Sequence, residues 1–175
     1  LAGDLINNLT EKALRKIFKD YGEERWSKQI ARGIVKNRRQ KKIQTSRQLA
    51  QIVRSAIPRQ APKEQHIHPA TRVFMALRIA VNKELDVLDR FMAGVSDWLN
   101  PKGRLCVLSF HSLEDRIVKQ WIAYQARHCI CPPEFPRCVC SKTPAVRTIT
   151  KKVWRPTQTE IEANPMARSA KLRAV

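Results

Sequence analysis

Between Gly103 and Lys119 the chain reads GRLCVLSFHSLEDRIVK, a short apolar run that stops at polar residues and passes at once into a helical pattern. Leu105, Cys106, Val107 and Leu108 are unbroken by polar residues, the pattern of a strand covered on both faces. Ser112 followed three residues later by Asp115 reads as a capping box, so a helix is expected from about Leu113. A buried strand feeding a helix is half of a parallel α/β unit and calls for a sheet with helices packed on it. In such sheets ligands bind beyond the carboxyl ends of the strands. Ser109, His111, Ser112, Glu114, Asp115 and Arg116 therefore occupy a functional address. They also admit a purely structural reading, in which Ser112 and Asp115 only cap the helix and His111 only closes a turn.

Charge narrows the choice of partner. The 175 residues carry 34 Lys and Arg against 15 Asp and Glu, a net +19. Solubility needs far less, so the excess points to a polyanion, nucleic acid before an anionic membrane surface. No apolar run approaches the roughly 18 residues of a membrane span, and no signal peptide is visible. The chain opens at Leu1, without an initiator Met, as a fragment or processed product would. No membrane association is expected, and the expected compartment is the cytoplasm.

Three amphipathic helices are expected first. Thr10 caps one carrying Leu14, Ile17 and Phe18; Glu23 to Lys36 places Trp26, Ile30 and Ile34 on one face; Thr45 or Ser46 caps a third with Leu49, Ile52 and Val53. The segment KNRRQKK, Lys36 to Lys42 and including Arg38, has five basic residues in seven. It reads as a loop, either merely solvated or in contact with phosphates. Ile57 to Pro69, with His66 and His68, reads as a linker with surface histidines. One long helix is expected from Pro69 to about Leu99, bent or broken at Gly94, with Arg78 partly buried and paired, and Arg72 and Asn82 nearby. Val146 to Val153 reads as a strand, and Asn164 to Val175 as a turn leading into a short final strand.

Cys129, Cys131, Cys138 and Cys140 form two C-x-C pairs six residues apart. Four thiolates could hold zinc, but zinc knuckles usually leave two to four residues within each pair, which lets backbone amides reach the sulfurs. The tighter spacing favours reduced thiols in a Pro-rich surface hairpin, with no metal assigned. With no secretory signal, a disulfide framework is not expected. Cys106, inside the apolar run, reads as a small core residue.

Four segments are more specific than any of these patterns: SFHSLEDRIVK from Ser109, YGEERWSKQIARGIV from Tyr21, HPATRVFMALRIAVNKEL from His68 and NPMARSAKLR from Asn164. Together they resemble the MraW/RsmH family of bacterial methyltransferases, in order and along almost the whole chain. The resemblance implies an α/β fold: a Rossmann-like methyltransferase sheet interrupted by an all-helical domain. Residues 1–69 would be mostly that inserted domain, for substrate or RNA recognition, with the linker, and 70–175 the C-terminal half of the sheet domain. The implied activity is methylation of a cytidine N4 in the decoding centre of 16S rRNA by S-adenosylmethionine. The implied partner is 16S rRNA in the small ribosomal subunit; the oligomeric state stays open, a homodimer included.

On this reading Ser109, His111 and Ser112 shape a cytidine pocket. Arg78, Asn82, Glu114, Asp115, Arg116, Lys119, Asn164 and Arg168, with the basic segment around Arg38, serve the substrate or RNA. The departures are as informative. The five glycines, at 3, 22, 33, 94 and 103, form no G-x-G turn after a strand. The cofactor's main binding motifs are therefore expected upstream of Leu1, and this chain alone is expected to be inactive, a bare RNA-binding module being the alternative. Met75 and Met166 stand where relatives commonly carry Gln and Arg.

Overall fold

The structure, a computed structural model, describes residues 1–58 and 68–175. His66 and most of the expected linker lie outside the described residues. The chain divides into two compact units, Leu1–Glu84 and Leu85–Val175.

The first unit is helical. Its elements are α1 (Ala2–Asn8), α2 (Glu11–Asp20), α3 (Ser27–Gln40), α4 (Ser46–Ala56) and α5 (Thr71–Asn82). Thr10 caps α2 by accepting from the Ala13 amide, and Thr45 caps α4 with Gln48 in a reciprocal box. The apolar stripes meet as expected: Leu14, Phe18, Ile30, Ile34 and Val53 are fully buried, with Leu49, Val73 and Leu77 beside them. Helix α1 was not expected, because its seven residues are too short to show a period. The segment read as a basic loop is in fact the last turn of α3 through Gln40, since nothing in KNRRQ breaks a helix. His68 closes the turn into α5, its Nδ1 accepting from the Ala70 amide at 3.2 Å.

Gly22, between α2 and α3, is required by a close approach. A Cβ there would stand 2.7 Å from the Phe18 carbonyl oxygen and 2.8 Å from that of Arg72. Neither backbone atom can yield cheaply, so Gly22→Ala is expected to cost about 1–3 kcal/mol. Thermal denaturation of the variant checks this. Gly33→Ala is the control, because its Cβ would meet only side chains, at 3.4 and 3.6 Å.

The helix expected from Pro69 to Leu99 is broken. Lys83 adopts the left-handed conformation, φ 53°, and its amide donates to the Ile79 carbonyl, ending α5. Helix α6 (Glu84–Gly94) starts afresh, and a 3₁₀ turn Val95–Trp98 follows it after Gly94. Glu84 secures the break by accepting from Arg78 and Asn82.

In the second unit, β1 (Cys106–Ser109) leads into α7 (Ser112–Gln125), and α8 (Gln158–Ala163) and a 3₁₀ helix Pro165–Ser169 precede β2 (Lys171–Ala174). The two strands pair antiparallel, Cys106 opposite Ala174 and Ser109 opposite Lys171. The described residues are thus mostly helical with one two-stranded sheet, and the wider parallel sheet expected from the apolar run is not formed among them. One face of β1 is covered: Val107 packs against a core of Met92, Val95, Val118, Ile122 and Val175. The other face is open, with Cys106 exposed and Leu108 55% exposed. The run is therefore covered on one face only, and Cys106 is not a core residue.

The expected strand at Val146 to Val153 is a partial one. Ile149 and Thr150 donate to the Ala174 carbonyl, and Trp154 forms a single bridge with Leu172. The chain takes more residues to pass from Thr150 to Trp154 than from Leu172 to Ala174 opposite, so the segment bulges out of register.

Candidate functional site

The corner between β1 and α7 is held by one side chain. Glu114 accepts from the amides of Phe110 and His111 at 2.9 and 3.2 Å, while its own amide donates to His111 Nδ1 at 3.3 Å. The capping box is therefore His111 with Glu114, one residue before the expected Ser112 with Asp115, and α7 starts at Ser112. The shift follows from the strand's end: His111 is still extended, so its ring hangs over the free amides of the first turn. With Nδ1 accepting, the proton of the neutral ring sits on Nε2. Nε2 lies 3.2 Å from Glu114 Oε1 but lacks the directed geometry of a hydrogen bond, and no other partner takes it among the described residues. Burial alone would raise the Glu114 carboxyl; the His111 ring and the two amides outweigh it and hold it down at about 2.

Ser109 is buried and its hydroxyl donates to the Lys171 carbonyl at 3.4 Å, across the sheet. Ser112 is partly buried at the first position of α7. Asp115 points the other way, receiving Nε and Nη2 of Arg173 at 2.6 and 3.1 Å, with Lys171 Nζ at 4.0 Å. The Arg173 hydrogen bonds, with Lys171 and Lys119 adding charge, hold its carboxyl below the ordinary range. Arg116 and Lys119 are exposed on α7. Asn164 caps the 3₁₀ helix by accepting from the Met166 amide at 3.2 Å, and Arg168 is exposed in it.

Ser109, His111, Ser112 and Glu114 thus gather at one corner, while Asp115 belongs to the α7–β2 tie. Phe110 also stands at that corner, half exposed beside His111. Alternation could have found it: with Ser109 buried, the next residue of an extended chain faces outward.

In the first unit, Arg78 grips Glu84 with Nε and Nη2 at 2.9 and 3.1 Å, and its side chain is more than half exposed rather than partly buried. Arg78 and Asn82 border a cleft of about 410 Å³ lined by Ile6, Leu49, Phe74 and Leu77. Arg38 is turned inward: its guanidinium donates to the carbonyls of Ile6 and Leu9 at the end of α1. The phosphate-facing reading of this segment therefore falls to its exposed neighbours Lys36, Arg39, Lys41 and Lys42. On another side of α3, Lys28, Arg32 and Lys36 follow at intervals of four and border a cleft of about 350 Å³ closed by Gly33 and Ala56. No described helix is long and apolar enough to cross a membrane.

The MraW methylase family model matches residues 1–175. The ribosomal RNA small subunit methyltransferase H of Desulforapulum autotrophicum is 54% identical over 172 residues, 98% of this chain and 55% of that protein. Those of Desulfosudis oleivorans and Halothermothrix orenii are 53% and 50% identical, over 99% and 97% of this chain and 55% and 54% of their own lengths. The chain spans about half the length of these curated relatives. Matched from end to end, it belongs to the MraW methylase family.

Proposed function

We propose that this chain is the RNA-facing part of an S-adenosylmethionine-dependent methyltransferase that modifies the N4 amine of a cytidine in 16S rRNA. The match to the MraW methylase family over residues 1–175 carries this reading, and the net charge of +19 supports it. Residues 1–69 would serve as the helical RNA-recognition insert and 70–175 as part of a Rossmann-like catalytic domain. Among the described residues β1 pairs only with β2, and its second edge suits a sheet that continues in the portion of the relatives this chain does not span. The working compartment would be the cytoplasm, where small subunits are assembled.

The residues present do not fit the cofactor. A methyl donor of this class needs a glycine-rich turn between strand and helix, whereas the β1–α7 corner is filled by Phe110 and His111. No step is derived through it.

The chain's own residues suit the nucleobase. A cytidine must leave its stack to react, and the half-exposed Phe110 ring offers a surface on which a base can rest. The His111 ring, only 9% exposed and held by the Glu114 amide, would form the wall beside Phe110, and Ser109 and Ser112 would shape the floor. Exposed Arg116, Lys119 and Arg168 would meet phosphates, as would the lysines and arginines of α3.

Phe110→Ala and His111→Ala, placed in the longer protein that contains this chain, are expected to lower methylation of 16S rRNA by at least about tenfold, with small-subunit affinity retained. Unchanged methylation in both would overturn the assignment of this corner. A second reading, an RNA-binding module without catalysis, is favoured by the missing cofactor cradle. Calorimetric titration of the chain with S-adenosylmethionine separates the two for the chain alone: no heat is expected, and tight binding would sink the claim that the cradle lies elsewhere.

A further inference from the structure

The segment from His128 to Thr148 contains no helix or strand. Its large apolar residues are poorly covered: Ile130, Phe135 and Val139 are 46%, 51% and 73% exposed. Val146, near its end, packs on the second unit's core, but the cysteine-bearing part before it has neither regular structure nor a buried apolar group and needs another source of order. The four cysteines converge within it, one sulfur of each lying within 4.8 Å of all the others. Cys140 Sγ is 3.6 Å from Cys138 Sγ and 3.7 Å from Cys129 Sγ. A tetrahedral zinc–thiolate site with bonds of about 2.3 Å has sulfur–sulfur edges of about 3.8 Å. A disulfide would bring one pair to about 2 Å, and all five cysteines are free.

The amides supply a second, independent observation. Cys140 Sγ accepts from the Ile130 amide, Cys131 Sγ from the Val139 amide and Cys129 Sγ from the Cys131 amide, each at 3.3 Å. Such N–H···S contacts stabilise thiolate charge and orient sulfur lone pairs. The short C-x-C spacing was expected to keep amides away from the sulfurs. It does not, because two of the three come from the opposite arm of the hairpin, across the Pro132–Pro136 loop.

We propose that Cys129, Cys131, Cys138 and Cys140 form a closed structural site for one Zn²⁺ ion. Four Zn–S bonds form, the thiol protons pass to solvent, and no group is oxidised or reduced. Zinc is preferred to harder cations because all four donors are soft sulfur atoms. Four ligands leave no open position, so the ion would hold the 128–148 segment and take no part in methyl transfer. Arg127, Arg137 and Lys142 flank the cysteines in sequence and offset the excess negative charge of a four-thiolate site.

The test is the metal content of the protein purified under reducing conditions from zinc-supplemented cells. One zinc per chain is expected, with the four thiols protected from alkylation until a chelator removes the ion. Cobalt substitution should give the intense visible bands and near-ultraviolet sulfur-to-metal charge transfer of a tetrahedral thiolate site. Cys129→Ser and Cys138→Ser should abolish stoichiometric metal, while Cys106→Ser, outside the cluster, should retain it. Should the first two variants fail to fold, wild-type stoichiometry and the cobalt spectrum still decide. Metal-free protein with four freely alkylated thiols, or disulfides among the four by mass spectrometry, would overturn the proposal. Stoichiometric iron with a rubredoxin-like spectrum would overturn the identity of the ion.

Discussion

Asp115→Asn is expected to destabilise the second unit by about 3 kcal/mol, through what it leaves behind. Asp115 and Arg173 have side chains only 15% and 14% exposed, and their two hydrogen bonds tie α7 to β2. Lys171 Nζ stands 4.0 Å from the same carboxylate. Without that negative charge, two cations face each other with little water to screen them. Urea denaturation should show a lower midpoint with an unchanged slope. Replacing both partners with apolar residues, Asp115→Leu with Arg173→Met, should recover much of the loss. If the double variant is no more stable than the single one, Asp115 acts through something other than this pair.

The same carboxylates set an acid limit. Glu114 is held at about 2, and Asp115 is also depressed. Both titrate near 4 in an unfolded chain, so below that value the unfolded state binds more protons than the folded one. Their contribution is complete above about pH 4 and is lost as the pH falls towards 2. For Glu114, partly open to solvent, it amounts to about 2 kcal/mol after discounting for screening. The stability of Asp115→Asn should therefore fall less steeply with acid than that of the wild type.

The second large effect concerns RNA. Lys28, Arg32 and Lys36 span about 12 Å along one side of α3. Their joint replacement by glutamine keeps good helix formers in place and, on the proposed RNA-facing reading, removes three phosphate contacts. The slope of log affinity against log salt should fall by about 2, which corresponds to about 100-fold weaker binding near 0.1 M salt. Filter binding to rRNA over a salt series measures both. Arg32 lies 3.9 Å from Glu11, so it is the member whose charge is partly engaged already. An unchanged slope would move the RNA from this side of α3 to Lys41 and Lys42.

The helical unit was legible in the sequence because its signals are local. Thr10 and Thr45 announce two starts, and Leu14, Phe18, Ile30 and Ile34 keep helical spacing. Where the reading failed, either the deciding partner was distant or the local signal lay in unusual residue types. Arg78, Asn82 and Glu84 are all close to Lys83 in sequence, yet no Gly or Pro marks the break they secure. Nothing in LCVL tells a strand covered on both faces from one covered on one, since apolar runs carry no period. Arg38 looked like a phosphate ligand until α1, too short to be read, supplied two carbonyls for it. His111 displaced Ser112 as the cap because imidazole can accept a backbone proton, a role the usual cap residues overshadow. The cysteine cluster was judged on spacing within each pair, whereas the amides that reach its sulfurs come mainly from across the hairpin.

The pairing of Cys106 with Ala174 also sets an order in time. Helices α2, α3 and α4 are neighbours in sequence and in space, so their contacts close short loops and form early. The β1–β2 ladder, with the Asp115–Arg173 tie beside it, must bring together residues separated by most of the second unit, and the entropy of that closure comes before any of its contacts. While the ladder is unformed, β1 presents an unpaired edge beside the apolar Leu108, the kind of segment that pairs with another copy of itself. The interval before β2 arrives is therefore when this chain is most exposed to self-association, and whatever speeds that arrival protects it.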